Sequence, residues 1–136
     1  MIEEQYVSFE TAKLAKEKGF DERCNYVYDK NKTLQMIRNQ SYEEFDKRDK
    51  YSILCPTQSL LARWLREEYD LSVEVGSTPY GYTWCVCKAH NGTYIISDED
   101  YDEYIPDNYE ASKEIALQKA LELIKRGSIK KWKYRN

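Results

Sequence analysis

YSILCPTQSLLARWLREEYDLSVEV, Tyr51 to Val75, is the stretch that decides the fold class. Thr57 follows Pro56 and suits an N-cap, because its hydroxyl can accept a bond from an N–H left free in the first turn. Leu60, Leu61, Trp64 and Leu65 then recur at the spacing that lines one face of a helix. Arg63, Arg66 and Glu67 fall on the other side. Tyr69 and Asp70 end the periodic run. Leu71, Val73 and Val75 alternate with Ser72 and Glu74, the period of a half-buried strand. At roughly 1.5–3 kcal/mol for each large side chain buried, the four apolar residues make this helix a main part of the core. Arg63, Arg66 and Trp64 would also suit a phosphate-and-stacking surface. Exposed charge on an amphipathic helix favours the plainer reading, with Trp64 in the core and the arginines paired with Glu67 and Glu68 in water.

Upstream, Ser8 is placed to cap a helix over 9–18, with Val7 and Ala12 as a hydrophobic staple. Phe9, Ala12 and Ala15 give it a narrow apolar stripe, and Gly19 supplies a left-handed stop after which Phe20 folds back. Residues 24–28 and 33–37 read as a hairpin around Asp29-Lys30-Asn31-Lys32. Residues 38–50 are highly charged, anchored only by Tyr42 and Phe45, and read as a mobile loop. Downstream, 76–81 reads as a turn and 82–88 as a second strand. Tyr82, Trp84 and Val86 point one way, and Thr83, Cys85 and Cys87 the other. Asn91-Gly92 is a hairpin signal before a third strand at 93–97. An acidic loop over 98–107 leads to a last helix, capped by Asp107 or Asn108 and running to about Arg126. Its inward residues are Ala116, Leu117, Ala120, Leu121 and Ile124, and Gly127 stops it. Trp132 can anchor the basic tail that follows.

The expected fold is α+β: an antiparallel sheet with helices packed on one face. Its second half runs α-β-β-β-α, preceded by a helix and a short hairpin. A length of 136 residues fits one domain over 1–136. A net charge of −3 gives no basic field for nucleic acid. No apolar run is long enough for a membrane span, and the first residues lack a basic-then-apolar leader. The expectation is therefore a soluble chain acting in the cytoplasm, with Cys24, Cys55, Cys85 and Cys87 reduced. Its 13 tyrosines suit either a sheet rim or a binding face.

Chemistry-bearing constellations are few. Cys85-Val86-Cys87 with His90 invites a metal, with Cys24 or Cys55 as a remote ligand. The spacing departs from the usual C-x₂₋₄-C pair, and buried core thiols are the favoured reading. Asp98, Asp100 and Asp102 mimic the start of a calcium loop, but the sixth position is Glu103 instead of Gly and the twelfth is Tyr109. His90, the only histidine, falls in a hairpin turn where nothing in the sequence orients its imidazole. No phosphate-cradling glycine loop is present. The sequence thus points to no catalytic residue, no metal and no cofactor, and to a protein that is not an enzyme.

The order helix–strand–strand–strand–helix, with SKEIALQKALELI over 112–124, resembles a double-stranded RNA-binding domain. That resemblance implies a lysine cluster at the N-terminus of the last helix, where this chain instead has five carboxylates between Asp98 and Glu103. Such a loop repels phosphates. VSFETAKLAKEKGFDERC, YSILCPTQSLLARWLREEYDLSVEV and YEASKEIALQKALELI together resemble a group of small proteins of Bacteroidales phages and prophages. This resemblance implies action inside a bacterial cytoplasm and supplies no catalytic residues.

The expected function is stoichiometric binding of a host protein or of a small signalling nucleotide, as in counter-defence. Tyr80, Tyr82 and Trp84 are the first candidates for the binding surface, with Arg63 and Arg66. The alternative is a nucleic-acid-binding module using Lys130, Lys131, Lys133 and Arg135, although the charge disfavours nucleic acid as a partner. A virion component or homo-oligomer is the third class.

Overall fold

In a computed structural model that describes residues 2–44, 51–101 and 105–124, the chain contacts gather into two units, Met1–Ser59 and Leu60–Asn136. Each unit has its own three-stranded antiparallel sheet. The α+β class expected from the sequence holds, but with two sheets. Among the described residues no helix is long and apolar enough to cross a membrane.

The first unit begins at Ser8, whose Oγ accepts the Thr11 N–H at 3.3 Å and starts α1 (Phe9–Glu17). Gly19 adopts φ +94°. That left-handed turn sends Phe20 back onto the helix, where its N–H donates to the Ala15 carbonyl at 2.9 Å and its ring is buried. β1 (Cys24–Tyr28) pairs with β2 (Leu34–Gln40). Asp29 holds the turn between them by accepting the N–H groups of Asn31 and Thr33. The Thr33 bond leads the effects that hold its carboxyl below the ordinary range.

β2 extends past the expected hairpin into the stretch read as a loop. β3 (Ile53–Leu54), which was not expected, pairs with β1 on its other side. Two residues are too few to show a period. Both are buried, and the Leu54 N–H donates to the Tyr42 hydroxyl at 2.7 Å. Phe45 and the rest of 45–50 lie outside the described residues.

In the second unit, α2 (Gln58–Tyr69), which begins just before the unit boundary, buries Leu61, Trp64 and Leu65, while Leu60 stays half-exposed. Asp70 takes φ +58° and turns the chain directly into β4 (Leu71–Thr78). β4 pairs with β5 (Gly81–Lys88) without interruption from Leu71↔Lys88 to Thr78↔Gly81. The expected turn over 76–81 is thus shorter, with Pro79 and Tyr80 at its tip.

β6 (Tyr94–Ser97) completes the sheet on the other side of β5. Asn108 accepts the Ala111 N–H at 2.7 Å and caps α3 (Tyr109–Leu123). α3 packs on β4 and β5 and buries Ala116, Leu117, Ala120 and Leu121. Residues 125–136, with Arg126, Gly127, Trp132 and the candidate cations Lys130, Lys131, Lys133 and Arg135, lie outside the described residues, as do Asp102 and Glu103.

Leu121→Ala should cost about 2–5 kcal/mol in urea melts, the range for a truncated core leucine. Arg63→Ala should cost under about 1 kcal/mol, since the Arg63 pair with Glu67 is exposed. Equal costs would remove α3 as the cover of this sheet.

A second expectation concerns alkaline pH. Burial pushes the Cys24 thiol from 9.0 up to about 12, and burial also raises the Tyr42 hydroxyl. A folded pKa above the unfolded one means the contribution is intact below pH 9 and is lost as pH climbs toward about 12. Cys24→Ala should therefore lose less stability than the parent across that window. An unchanged slope would assign the alkaline loss to other groups.

Candidate functional site: the open face of the second sheet

Strand alternation sends the side chains of β5 to two different environments. Trp84 and Val86 are buried, opposite Val75 and Val73 of β4. The Trp84 ring lies 5.8 Å from that of Tyr101, over which the Lys119 ammonium of α3 sits at 4.1 Å. The residues between them, Thr83, Cys85 and Cys87, are only half-buried. They share the other face with Gly76, Glu74 and Ser72, their register partners on β4, and with Ser97 opposite Cys85 on β6.

This second face carries an open cleft of about 520 Å³, whose lining includes Glu74, Gly76, Thr83, Cys85, Tyr94, Ser97, Asp98 and Glu99. Among the described residues, no lysine or arginine lines it. Asp98 is buried and accepts the Thr83 hydroxyl at 2.6 Å. Asp100 caps the short 3₁₀ turn over 98–100, accepting the Ser97 N–H at 2.8 Å and the Tyr94 hydroxyl. These two carboxylates, suggestive of a calcium loop in the sequence, are committed to local bonds. The Ser72 hydroxyl donates to Glu74. Among the described residues, no ion pair with a lysine or arginine neutralises Glu74, Asp98 or Glu99.

The sulfurs of Cys85 and Cys87 lie 3.6 Å apart. Both were expected in the core, yet they stand on the face opposite it. Cys24 and Cys55 are the thiols that are buried. The Cys85 thiol is pushed up to about 11, first by burial, then by its neighbour Cys87 and the carboxylates of Glu74 and Asp98.

The residues proposed from sequence do not form one surface. Tyr80 is 84% exposed at the β4–β5 tip. Tyr82 is half-buried, with its ring edge-on to Tyr109 at 6.1 Å. Its backbone is held by Pro106 and Ser112. Trp84 is 3% exposed, so its indole cannot serve as a stacking platform, and that assignment is corrected to a core role. Arg63 and Arg66 are exposed on α2, with Arg63 paired to Glu67 at 2.6 Å.

Tyr94, which sequence reasoning passed over, is 53% exposed and lines the cleft. His90 is also corrected. The buried Asp70 orients it, accepting its backbone N–H at 2.9 Å and contacting its Nδ1. The available signal was an Asp between two apolar runs, since Asp tolerates the left-handed conformation.

Compared with protein-family models, curated proteins and solved structures, the chain matches none.

Because the thiolate is the reactive form, alkylation of Cys85 should still be accelerating between pH 9 and about 11. Mass spectrometry of the labelled peptide gives the rate. A plateau near pH 9 would contradict the raised value.

Proposed function

We propose that the chain acts by stoichiometric binding, and that the cleft on the second sheet receives a basic side chain or segment of a protein partner. The observation that carries this reading is the cleft's lining of Glu74, Asp98 and Glu99, with no lysine or arginine among the described residues of its walls. Complementary charge steers such encounters and fixes their register. Tyr94 adds an exposed ring on the same wall, able to pack on a lysine stem or a guanidinium.

The same lining disfavours a signalling nucleotide here. Phosphates need donors or cations, and this surface offers carboxylates. Of the two partners expected from sequence, a host protein is the one the cleft supports. The resemblance to proteins of Bacteroidales phages and prophages favours a partner in the bacterial cytoplasm, with counter-defence as the role.

The test compares the parent with a Glu74→Lys/Glu99→Lys variant, each tagged and recovered from bacterial host cells at low and high salt. A protein bound one-to-one should be held by the parent, weakened by salt, and lost by at least tenfold in the variant while its circular dichroism is unchanged. Retention of that partner by the variant, or a nucleotide-sized mass on the parent, would overturn the reading.

A further inference from the structure

We infer that Cys85 and Cys87 form a two-thiolate seat for a soft d¹⁰ divalent cation, Zn²⁺ or Cd²⁺, on the open face of the second sheet. This inference is independent of the binding reading and needs no protein partner.

Two features carry it. The first is geometry. Residues two apart on a strand share a face, and here their sulfurs are 3.6 Å apart. With metal–sulfur bonds of about 2.3 Å, that separation subtends an angle of about 100° at the ion, close to tetrahedral. The two sulfurs, which now share a thiol–thiol hydrogen bond, thus stand at the separation of a chelating pair. Both residues are half-buried on a solvent-facing strand surface, and Cys85 lines the cleft, which gives an entry path.

The second feature is charge. Glu74 stands directly opposite Cys85 in the β4–β5 register, on the same face. Its carboxylate lines the cleft together with Cys85 and the carboxylate of Asp98. Negative charge so close to the two sulfurs favours a cation between them. Binding replaces two S–H protons by one divalent ion, leaving two thiolate–metal bonds and two protons in solvent. Affinity must therefore rise with pH.

Among the described residues, no set of three or more ligands is preassembled. The remaining positions fall to water, or to Glu74 once it gives up the Ser72 hydroxyl that now donates to it. His90 is not called on, because its Nδ1 is committed to Asp70. Soft thiolate donors select ions of this class over Mg²⁺ or Ca²⁺.

The test titrates the reduced full-length protein with Cd²⁺ and follows the ultraviolet thiolate-to-cadmium band together with proton release. One equivalent should bind and release about two protons. Cys85→Ser and Cys87→Ser should each weaken binding at least tenfold, and Glu74→Gln, which keeps both thiols, should weaken it severalfold. Cys24→Ala should leave it unchanged. Circular dichroism checks each variant, and if one misfolds the other cysteine variant decides. No band in the parent, or a band unchanged in both cysteine variants, would overturn the inference.

Discussion

The uninterrupted antiparallel register of β4 with β5, from Leu71↔Lys88 to Thr78↔Gly81, is the constraint on which the second unit depends. It puts Val73 beside Val86 and Val75 beside Trp84 on one face. It puts Ser72 beside Cys87, Glu74 beside Cys85 and Gly76 beside Thr83 on the other. A slip of one residue would bring Trp84 and Glu74 onto the same face, exposing the indole or burying the carboxylate. Two devices pin the ends. At one end the Thr78 hydroxyl donates to the Gly81 carbonyl across the two-residue tip. At the other, Asp70 accepts the Ala89 N–H on its carbonyl and the His90 N–H on its carboxylate. Asp70 therefore ties the end of α2 to the β5–β6 turn and helps hold the register in place.

The first unit is held differently. Its sheet is short, and much of its order converges on the backbone of Val7. The Val7 N–H donates to the Pro56 carbonyl at 3.1 Å, and the Val7 carbonyl accepts the Tyr28 hydroxyl at 2.7 Å and the Cys55 thiol at 3.4 Å. One buried residue thus joins the lead-in to α1, the end of β1 and the segment after β3. Satisfying its N–H and its carbonyl internally avoids the cost of leaving either buried group unpaired, roughly 1–3 kcal/mol each.

Elements with a strong period or a cap were legible in the sequence. α1, α2 and α3 follow their apolar spacing, and Ser8 and Asn108 cap as their side-chain oxygens allow. β5 follows its alternation. What escaped the sequence was set by pairing. β3 has two residues and no period of its own. The outer half of β2 contains Arg38 and Asn39 at positive φ, a conformation that local propensity would not assign to a strand. The candidate site was misplaced for a similar reason. Alternation divides Trp84 from Cys85, as the structure has it, but does not say which side is open, and the aromatic side is the covered one. Only the packing of α3 on β4 and β5 decides which side is covered. Tyr94 and Asp98 become neighbours of Glu74 and Thr83 through β6 and the 3₁₀ turn that follows it, a juxtaposition that spacing along the chain does not encode.

The covered side of the β4–β5 pair follows from hydrophobic burial alone, whereas the open side does not. Natural sheets commonly dress a solvent face with mixed charge and threonine, yet here the described open face combines carboxylates and two adjacent thiols with no lysine or arginine in its cleft. Such a face is electrostatically one-sided even though the chain as a whole carries a net charge of only −3. Local field, and not net charge, governs what approaches a cleft. Protons, soft metal ions and basic side chains are all stabilised by that field, while phosphates are opposed by it. Among the described residues of the second unit, cationic side chains stand elsewhere: Arg63 and Arg66 on α2, and Lys113 and Lys119 over aromatic rings. That segregation leaves the carboxylates of the open face without a neighbouring cation among the described residues.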